Sequence, residues 1–492
     1  MGSAVVVIPV TAAVLKAPGS SKMPVAVGID TVLGGSLFDE LQAVGFSADG
    51  KENHEIVRIA ADRGGKRMVF LIVPFARETD VFRTLMAYRR LGEAAYACAK
   101  KHKMQRIVIV GNDIELGNRI NLAAMVEAVA LGSYDFVECL SKKPVPHEIE
   151  DLLVFGCDDM RDDAAQEAMV TAEGIKLMRT LSLLPPNRKH PMAYAARVEE
   201  ALAPYSDCLR VEVIDADALA AMRAGGILGV NSGSGFPACL LKITYVPEGG
   251  SDAKPVAFIG KGVIMDTGGY SLKPPAMQPD MKGDCGGGNT VVGAMRAIGE
   301  LRPPYPITAY VPLVENRVSS TARVPSDVLE SLSGQTVEDL NTDAEGRLIL
   351  MDAITLAQRD GSTTLIDLAT LTGACVVALG NTCSGAWSNS DELCGQVLAA
   401  AESSGDRMWR MPLLPELDGD LKSGVADLAN IGTDRMGGAI HAALFLQRFV
   451  VDGTEWIHLD IAGPGCNKIK DRSAFRGGPV GTLVNFALNL SA

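Results

Sequence analysis

Four carboxylates that could share one site fall in three short segments of this 492-residue chain, with three cations in or near them. Asp266 closes the apolar run VAFIGKGVIMD, Asp284 stands in PDMKGDCGGG, and Asp343 and Glu345 share LNTDAEGRLIL, with Lys261, Lys273 and Arg347 close by in sequence. Four ionised carboxylates gathered in one water-poor pocket repel one another unless cations neutralise them. Two divalent ions supply the missing four positive charges. Lys261 could ligate such an ion only as a neutral amine, which requires neighbouring dications to drive its pKa down. Lys273 and Arg347 would stay charged and face a substrate or an anion.

Spacing decides whether these groups can meet. Lys261 and Asp266 are five residues apart, an offset that puts them on opposite faces of a regular strand, so Gly260 and Gly262 are expected to bulge the backbone and realign both. Asp343 and Glu345 are two apart and would project to the same side of an extended stretch. Gly346 then permits a sharp turn into a helix whose first turn holds Arg347. A cation at the positive end of a helix implies an anion or carboxylate beside it.

The elements that must position these groups alternate along the chain. Strands are expected at Ala4 to Val10, Val25 to Ile29, Met68 to Val73, Ile107 to Val110 and Leu152 to Phe155, with a long helix near Glu78 to Lys103. A helical stretch runs from about Asp162 to Leu184 and stops at Pro185 and Pro186. Beyond it come strands near Leu209 to Ile214, Leu240 to Tyr245, Val256 to Asp266, Ile307 to Val314, Thr364 to Leu371 and Trp456 to Ile461. Helices near Met192 to Leu202, Thr290 to Leu301, Arg347 to Arg359, Glu392 to Ser403 and Ala439 to Val450 intervene. The expectation is an α/β protein of two domains, each a mostly parallel sheet flanked by helices: residues 1–165, a connecting helix at 166–186, and a larger catalytic domain at 187–492. Ligands in such sheets gather at the carboxyl ends of the strands, where Asp266 lies.

Composition narrows the function classes. With 47% hydrophobic and 21% charged residues the chain reads as an ordinary globular protein, and its net charge of -13 disfavours a general binder of nucleic acid or anionic membranes. The ten Cys are scattered without a CxxC pair, which reads as reduced thiols in a cytoplasmic protein. Apolar runs are interrupted well short of the roughly 18 residues a bilayer requires. The N-terminus MGSAVVVIPV carries no targeting pattern.

Taken together, IGKGVIMDTGGYSLKP, PDMKGDCGG, NTDAEGRLIL, LATLTGACVVALG and HLDIAG resemble the leucyl aminopeptidase family of dinuclear metallo-exopeptidases over roughly residues 180 to 490. The resemblance implies two divalent ions per subunit, Zn²⁺ or Mn²⁺ with Co²⁺ and Mg²⁺ as alternatives. Asp266, Asp343 and Glu345 resemble the ligands of an exchangeable ion, the Asp343 carbonyl contributing. Lys261, Asp266, Asp284 and Glu345 resemble those of a tightly held one. By the same resemblance Lys273 polarises the scissile carbonyl, Arg347 holds a bicarbonate that serves as general base, and the substrates are peptides with apolar N-terminal residues, Leu above all. A water bridging two cations roughly 3.5 to 4 Å apart loses its proton near neutral pH, which suits that chemistry. A homohexamer with interior-facing active sites is also implied, its N-terminal domain gating access and bridging trimers.

The side-chain pocket implied by the family comprises Met281, Thr370, Leu371, Gly373, Ala462 and Gly465. Gly465 departs from the family pattern, standing where a bulky Met often closes the floor, so a deeper pocket is expected. Thr267 and Cys285 are milder departures that remove no ligand.

Rival readings fit these residues less well. A two-metal carboxylate cage also suits a phosphoesterase, although such sites usually include His or Asn ligands. A DNA-binding assembly role, which some family members have, is opposed by the net charge. The run Gly286 to Gly288 before a helix could cradle a phosphate but lacks GxGxxG order. His458 and His441 read as core residues, and Cys285, with no His paired to it, as packing rather than a nucleophile.

Overall fold

The computed structural model describes residues 3–11, 52–60, 66–76, 78–111, 114–155, 162–433, 436–465 and 478–491. The strand expected at Val25 to Ile29, and Cys157 and Cys466, lie outside them. The chain divides into two compact units, Met1–Ala172 and Glu173–Ala492.

The first unit carries a five-stranded sheet of β1 (Ala4–Val10), β2 (His54–Ala60), β3 (Lys66–Pro74), β4 (Arg106–Val110) and β5 (Asp151–Phe155), in the order β2-β3-β1-β4-β5. Only the edge strand β2 runs antiparallel to its neighbour. The β-branched runs of β1 and β3 pair Val5 with Val69 and Val7 with Leu71, all buried. The Val81–His102 helix covers them; Asp80 caps its N-terminus by accepting from the Arg83 amide, and Lys100, Lys101 and His102 complement the dipole of its last turn.

The second unit is built on nine strands: β6 (Leu209–Ile214), β7 (Cys239–Tyr245), β8 (Val256–Gly260), β9 (Gly262–Asp266), β10 (Ile307–Asn316), β13 (Thr364–Ala369), β14 (Ser384–Ser388), β15 (Met408–Arg410) and β17 (Glu455–Asp460). Their order is β15-β14-β17-β13-β8-β10-β7-β6, with β9 also paired to β10. Strands β17, β13, β8 and β10 are mutually parallel and every residue of β8 and β10 is buried, as expected of strands covered on both faces. β14 turns antiparallel to β17, and β7 and β6 extend the other end antiparallel. A small sheet of β11 (Asp327–Glu330), β12 (Thr336–Asp339) and β16 (Leu428–Ala429) stands apart. The α/β class with mostly parallel sheets therefore holds in both units. Among the described residues no helix is long and apolar enough to cross a membrane.

One expected element differs in a way that matters. The run Val256 to Asp266 is two strands, interrupted at Lys261, and the glycines beside it do not shift the register against β10: Ile259 faces Tyr310 and Gly262 faces Leu313. The bulge lies further on. Val263 faces Val314 and Met265 faces Glu315, so Ile264 is the extra residue. One inserted residue offsets the odd spacing of Lys261 and Asp266.

Candidate active site

Each acidic group sits where a strand or turn meets a helix. Asp266 ends β9; Asp284 follows a 3-10 turn, Gln278–Gly283, just before the Gly286–Leu301 helix; Glu345 is the first residue of the Glu345–Arg359 helix, with Asp343 in the preceding turn. That turn corrects the extended geometry expected for Asp343 and Glu345: the Asp343 amide donates to Asn341 Oδ1 at 3.0 Å and the Ala344 amide to the Asn341 carbonyl, folding the chain directly into the helix.

Lys261 stands at the centre of one half of the site. Its Nζ lies 2.8 Å from Asp284 Oδ2 and 2.8 Å from Glu345 Oε1, and donates to the Thr370 carbonyl at 2.9 Å. Lys273 occupies the other half, 2.7 Å from Asp266 Oδ2 and 2.5 Å from Asp343 Oδ1. All five proposed ligands and Lys273 are thus brought together. Carboxylate oxygens of Asp266, Asp343 and Glu345 lie within 4.8 Å of one another.

The oxygens are under-satisfied for their burial. Among the described residues nothing donates a hydrogen bond to Asp284 Oδ2, Asp343 Oδ1 or Glu345 Oε2. Asp284 Oδ2 and Asp343 Oδ1 nonetheless touch an ammonium as ion pairs. Acceptors left open in a buried site, all hard oxygens apart from one amine, fit a divalent cation.

Electrostatics follow the same pattern. Burial raises the Asp266 carboxyl to about 6, with Glu345 adding to the effect and Lys273 and Lys261 opposing it. Burial likewise raises Asp284 and Asp343. Burial also acts to raise Glu345, but Lys261 and Lys273 outweigh it and hold it below its ordinary value. For both lysines, burial acts against the charge but the surrounding carboxylates prevail, so each is held as an ammonium. Two ammoniums face four carboxylates, and the site remains short of positive charge.

Arg347 is buried in the first turn of its helix, its Nη1 donating to the Asn430 carbonyl at 2.6 Å and its guanidinium lying 5.9 Å from the centre of the Phe445 ring. Burial lowers it to about 10, against the pull of Glu345, Asp460 and Asp339. Among the described residues its Nε has no hydrogen-bond partner, a buried donor fit for an anion. Gly346 plays a different part from the turn expected of it. It lies inside the helix, and a Cβ there would stand 2.7 Å from Lys261 Cε and 2.9 Å from Leu371 Cδ1.

Of the pocket candidates, Thr370 is buried, its hydroxyl donating to Asp284 Oδ1 at 2.7 Å. Thr370 and Leu371 lie past the end of β13, in the loop leading to Gly373, which opens the Gly373–Leu379 helix; Ala462 and Gly465 bound a short helical turn after β17. A Cβ on Gly465 would meet Thr370 Cγ2 at 3.1 Å and Ile461 Cδ1 at 3.2 Å. Met281 lies in the turn before Asp284.

Sequence reasoning missed the residues that hold this frame. Asn316, ending β10, donates to Asp266 Oδ1 at 2.7 Å and to the Thr342 carbonyl at 2.9 Å, tying two ligand loops together; Arg323 donates to that carbonyl at 2.8 Å. Asp460, ending β17, accepts from the amides of Leu371, Thr372 and Ala462 and from the Thr372 hydroxyl. A carboxylate or amide closing an apolar strand is the signal that could have marked both.

The bland readings stand. Gly287 and Gly288 meet the backbone of β13 and of the Gly260–Lys261 segment, so this run brings a helix close to the sheet. His458 is fully buried, its Nδ1 2.5 Å from Asp367 Oδ1, and His441 Nε2 lies 3.1 Å from Asp420. Cys285 Sγ accepts from Lys189 and Asn289.

Known proteins resemble this chain over most of its length. Residues 176–486 match the cytosol aminopeptidase family, catalytic domain. A probable cytosol aminopeptidase of Solibacter usitatus is 40% identical over 409 residues, 82% of this chain and 84% of that protein. Leucine aminopeptidase 2, chloroplastic, of Arabidopsis thaliana is 34% identical over 478 residues, 95% of this chain and 80% of that one. Among solved structures, a mutant of tomato leucine aminopeptidase superposes with a TM-score of 0.87 at 30% identity, covering 99% of this chain and 94% of its own. A bottromycin maturation enzyme in complex with Mn gives 0.81 at 29%, covering 98% of each chain.

Proposed function

Because the chain belongs to the cytosol aminopeptidase family and is a metal-dependent aminopeptidase, we propose that it releases Leu and other apolar residues from peptide N-termini through a two-metal site. Asp266, Asp343 and Glu345 would hold one ion, and Lys261, Asp266, Asp284 and Glu345 the other, Zn²⁺ or Mn²⁺ being the first candidates. When bound, such ions supply Lewis acidity, an acidified water and an anchor for the uncapped amine. The observation that carries this reading is the convergence of Asp266, Asp343 and Glu345 oxygens within 4.8 Å, with Glu345 Oε2 buried and, among the described residues, without a hydrogen bond.

The chain's own groups do the rest. Lys273 brings a fixed positive charge to where the carbonyl oxygen becomes an oxyanion. Arg347, whose Nε has no hydrogen-bond partner among the described residues, would hold a bicarbonate, which would supply a general base there. Met281, Thr370, Leu371, Gly373, Ala462 and Gly465 receive the side chain. Residues 1–165 would gate access in a cytoplasmic homohexamer. Leu-p-nitroanilide assayed against p-nitrophenyl phosphate, before and after chelation, tests the reading: hydrolysis of the amide alone, lost with the metal, is expected, and phosphatase activity would favour the rival phosphoesterase.

A further inference from the structure

Among the described residues of the catalytic unit Lys189 is the most completely buried cation, with no exposed surface at all. Among the described residues no carboxylate pairs with it. Its Nζ donates to the carbonyls of Leu181 at 2.9 Å, Ser182 at 3.4 Å and Lys282 at 2.6 Å, and to Cys285 Sγ at 3.4 Å. Two of these acceptors, Leu181 and Ser182, lie at the end of the Asp162–Leu183 helix, whose last carbonyls have no partner within the helix. The other two bracket Asp284, which lies between Lys282 and Cys285. Asn289 continues the link, donating to Ser182 Oγ at 2.7 Å and to Cys285 Sγ at 3.4 Å while accepting from the Tyr194 hydroxyl at 2.7 Å.

We infer that Lys189 is a positioning residue for the metal site, an internal cation that fixes the Lys282–Cys285 segment against a helix terminus and so sets the place of the Asp284 carboxylate. Mere packing would be met more cheaply by an apolar side chain, since burial works against the ammonium and lowers its pKa. Hydrogen bonds from one charged centre to three carbonyls of two separate segments restrain the Asp284 loop as no apolar contact can. Thr370 and Lys261 grip the Asp284 carboxylate from the other side, so the loop is held at both its backbone and its head.

The inference rests on the assignment of Asp284 as a metal ligand, and the test separates the two. Mn²⁺ is titrated calorimetrically into metal-free wild type, Lys189→Met, Lys189→Gln and Asp284→Asn proteins, with thermal melting checked in each. Lys189→Met should still bind two ions, the tighter of them weakened about 10- to 100-fold, as loss of an outer partner of a ligand commonly does. Lys189→Gln, which keeps a donor without the charge, should recover part of that loss; it also serves if the Met variant does not fold. Wild-type affinity in a folded Lys189 variant, alongside weakened binding in Asp284→Asn, overturns the inference alone. Wild-type affinity in Asp284→Asn overturns the ligand assignment itself.

Discussion

Gly346 leaves the space that the Lys261 stem fills: a Cβ on Gly346 would stand 2.7 Å from Lys261 Cε and 2.8 Å from its Cδ. The glycine lets the lysine stem pass over the first turn of the helix and deliver its amine between Asp284 and Glu345. Gly346→Ala should therefore displace Lys261 while favouring the helix itself. We expect turnover to fall roughly tenfold or more, in keeping with disturbed ligand support, with little change in far-ultraviolet circular dichroism. Unchanged turnover would mean that Lys261 need not stand where it does.

Lys273 should matter to turnover more than to binding. Removing one stabiliser of a developing oxyanion commonly lowers kcat about 100- to 1000-fold, and Lys273→Ala is expected in that range with KM moved far less. A variant altered only in KM would make Lys273 a substrate-binding residue.

Metal binding should strengthen as pH rises. The Asp266 carboxyl at about 6 lies above its ordinary 3.8, so in the ion-free fold this group's stabilising contribution is complete below the ordinary value and lost as pH rises through about 6. A cation reverses the sign, because it requires the ionised carboxylate and a Lys261 that has given up its proton. The difference in Tm between metal-loaded and metal-free protein should grow from about pH 5 to about pH 8. A constant difference would separate these two groups from metal binding.

Much of this site was legible in the sequence because its groups announce themselves by charge within apolar runs, as Asp266 and Glu345 do. The bulge that aligns Lys261 with Asp266 was foreseen but placed at the wrong residue: glycines mark where backbone can bend, while the slip at Ile264 is set by pairing with β10. Asn316, Asp460 and Lys189 were not found. They act through carbonyls and amides of distant segments, and no spacing along the chain encodes which segments those are. The antiparallel returns of β14 and β7 escaped for the same reason.

Gly465 offers less room than a pocket floor left open. A methionine there would start 3.1 Å from Thr370 Cγ2 and 3.2 Å from Ile461 Cδ1. If Gly465 forms the pocket floor as proposed, Gly465→Met should slow Phe- and Met-p-nitroanilide roughly tenfold relative to the Ala substrate, since only long side chains would reach it. An equal loss on every substrate would instead place the effect on Thr370 and, through its 2.7 Å hydrogen bond, on Asp284.

Metal content measured alongside activity tests the central claim most directly. Protein stripped by exhaustive chelation is reloaded stepwise with Mn²⁺ or Zn²⁺, bound metal per chain is determined by mass spectrometry, and Leu-p-nitroanilide hydrolysis is followed at each step. The account predicts that activity vanishes with the metal, returns on reloading and reaches its maximum at about two ions per chain, and that Glu345→Ala, lacking a ligand shared by both ions, does not recover it. Full hydrolysis by metal-free protein, or by Glu345→Ala, would contradict it.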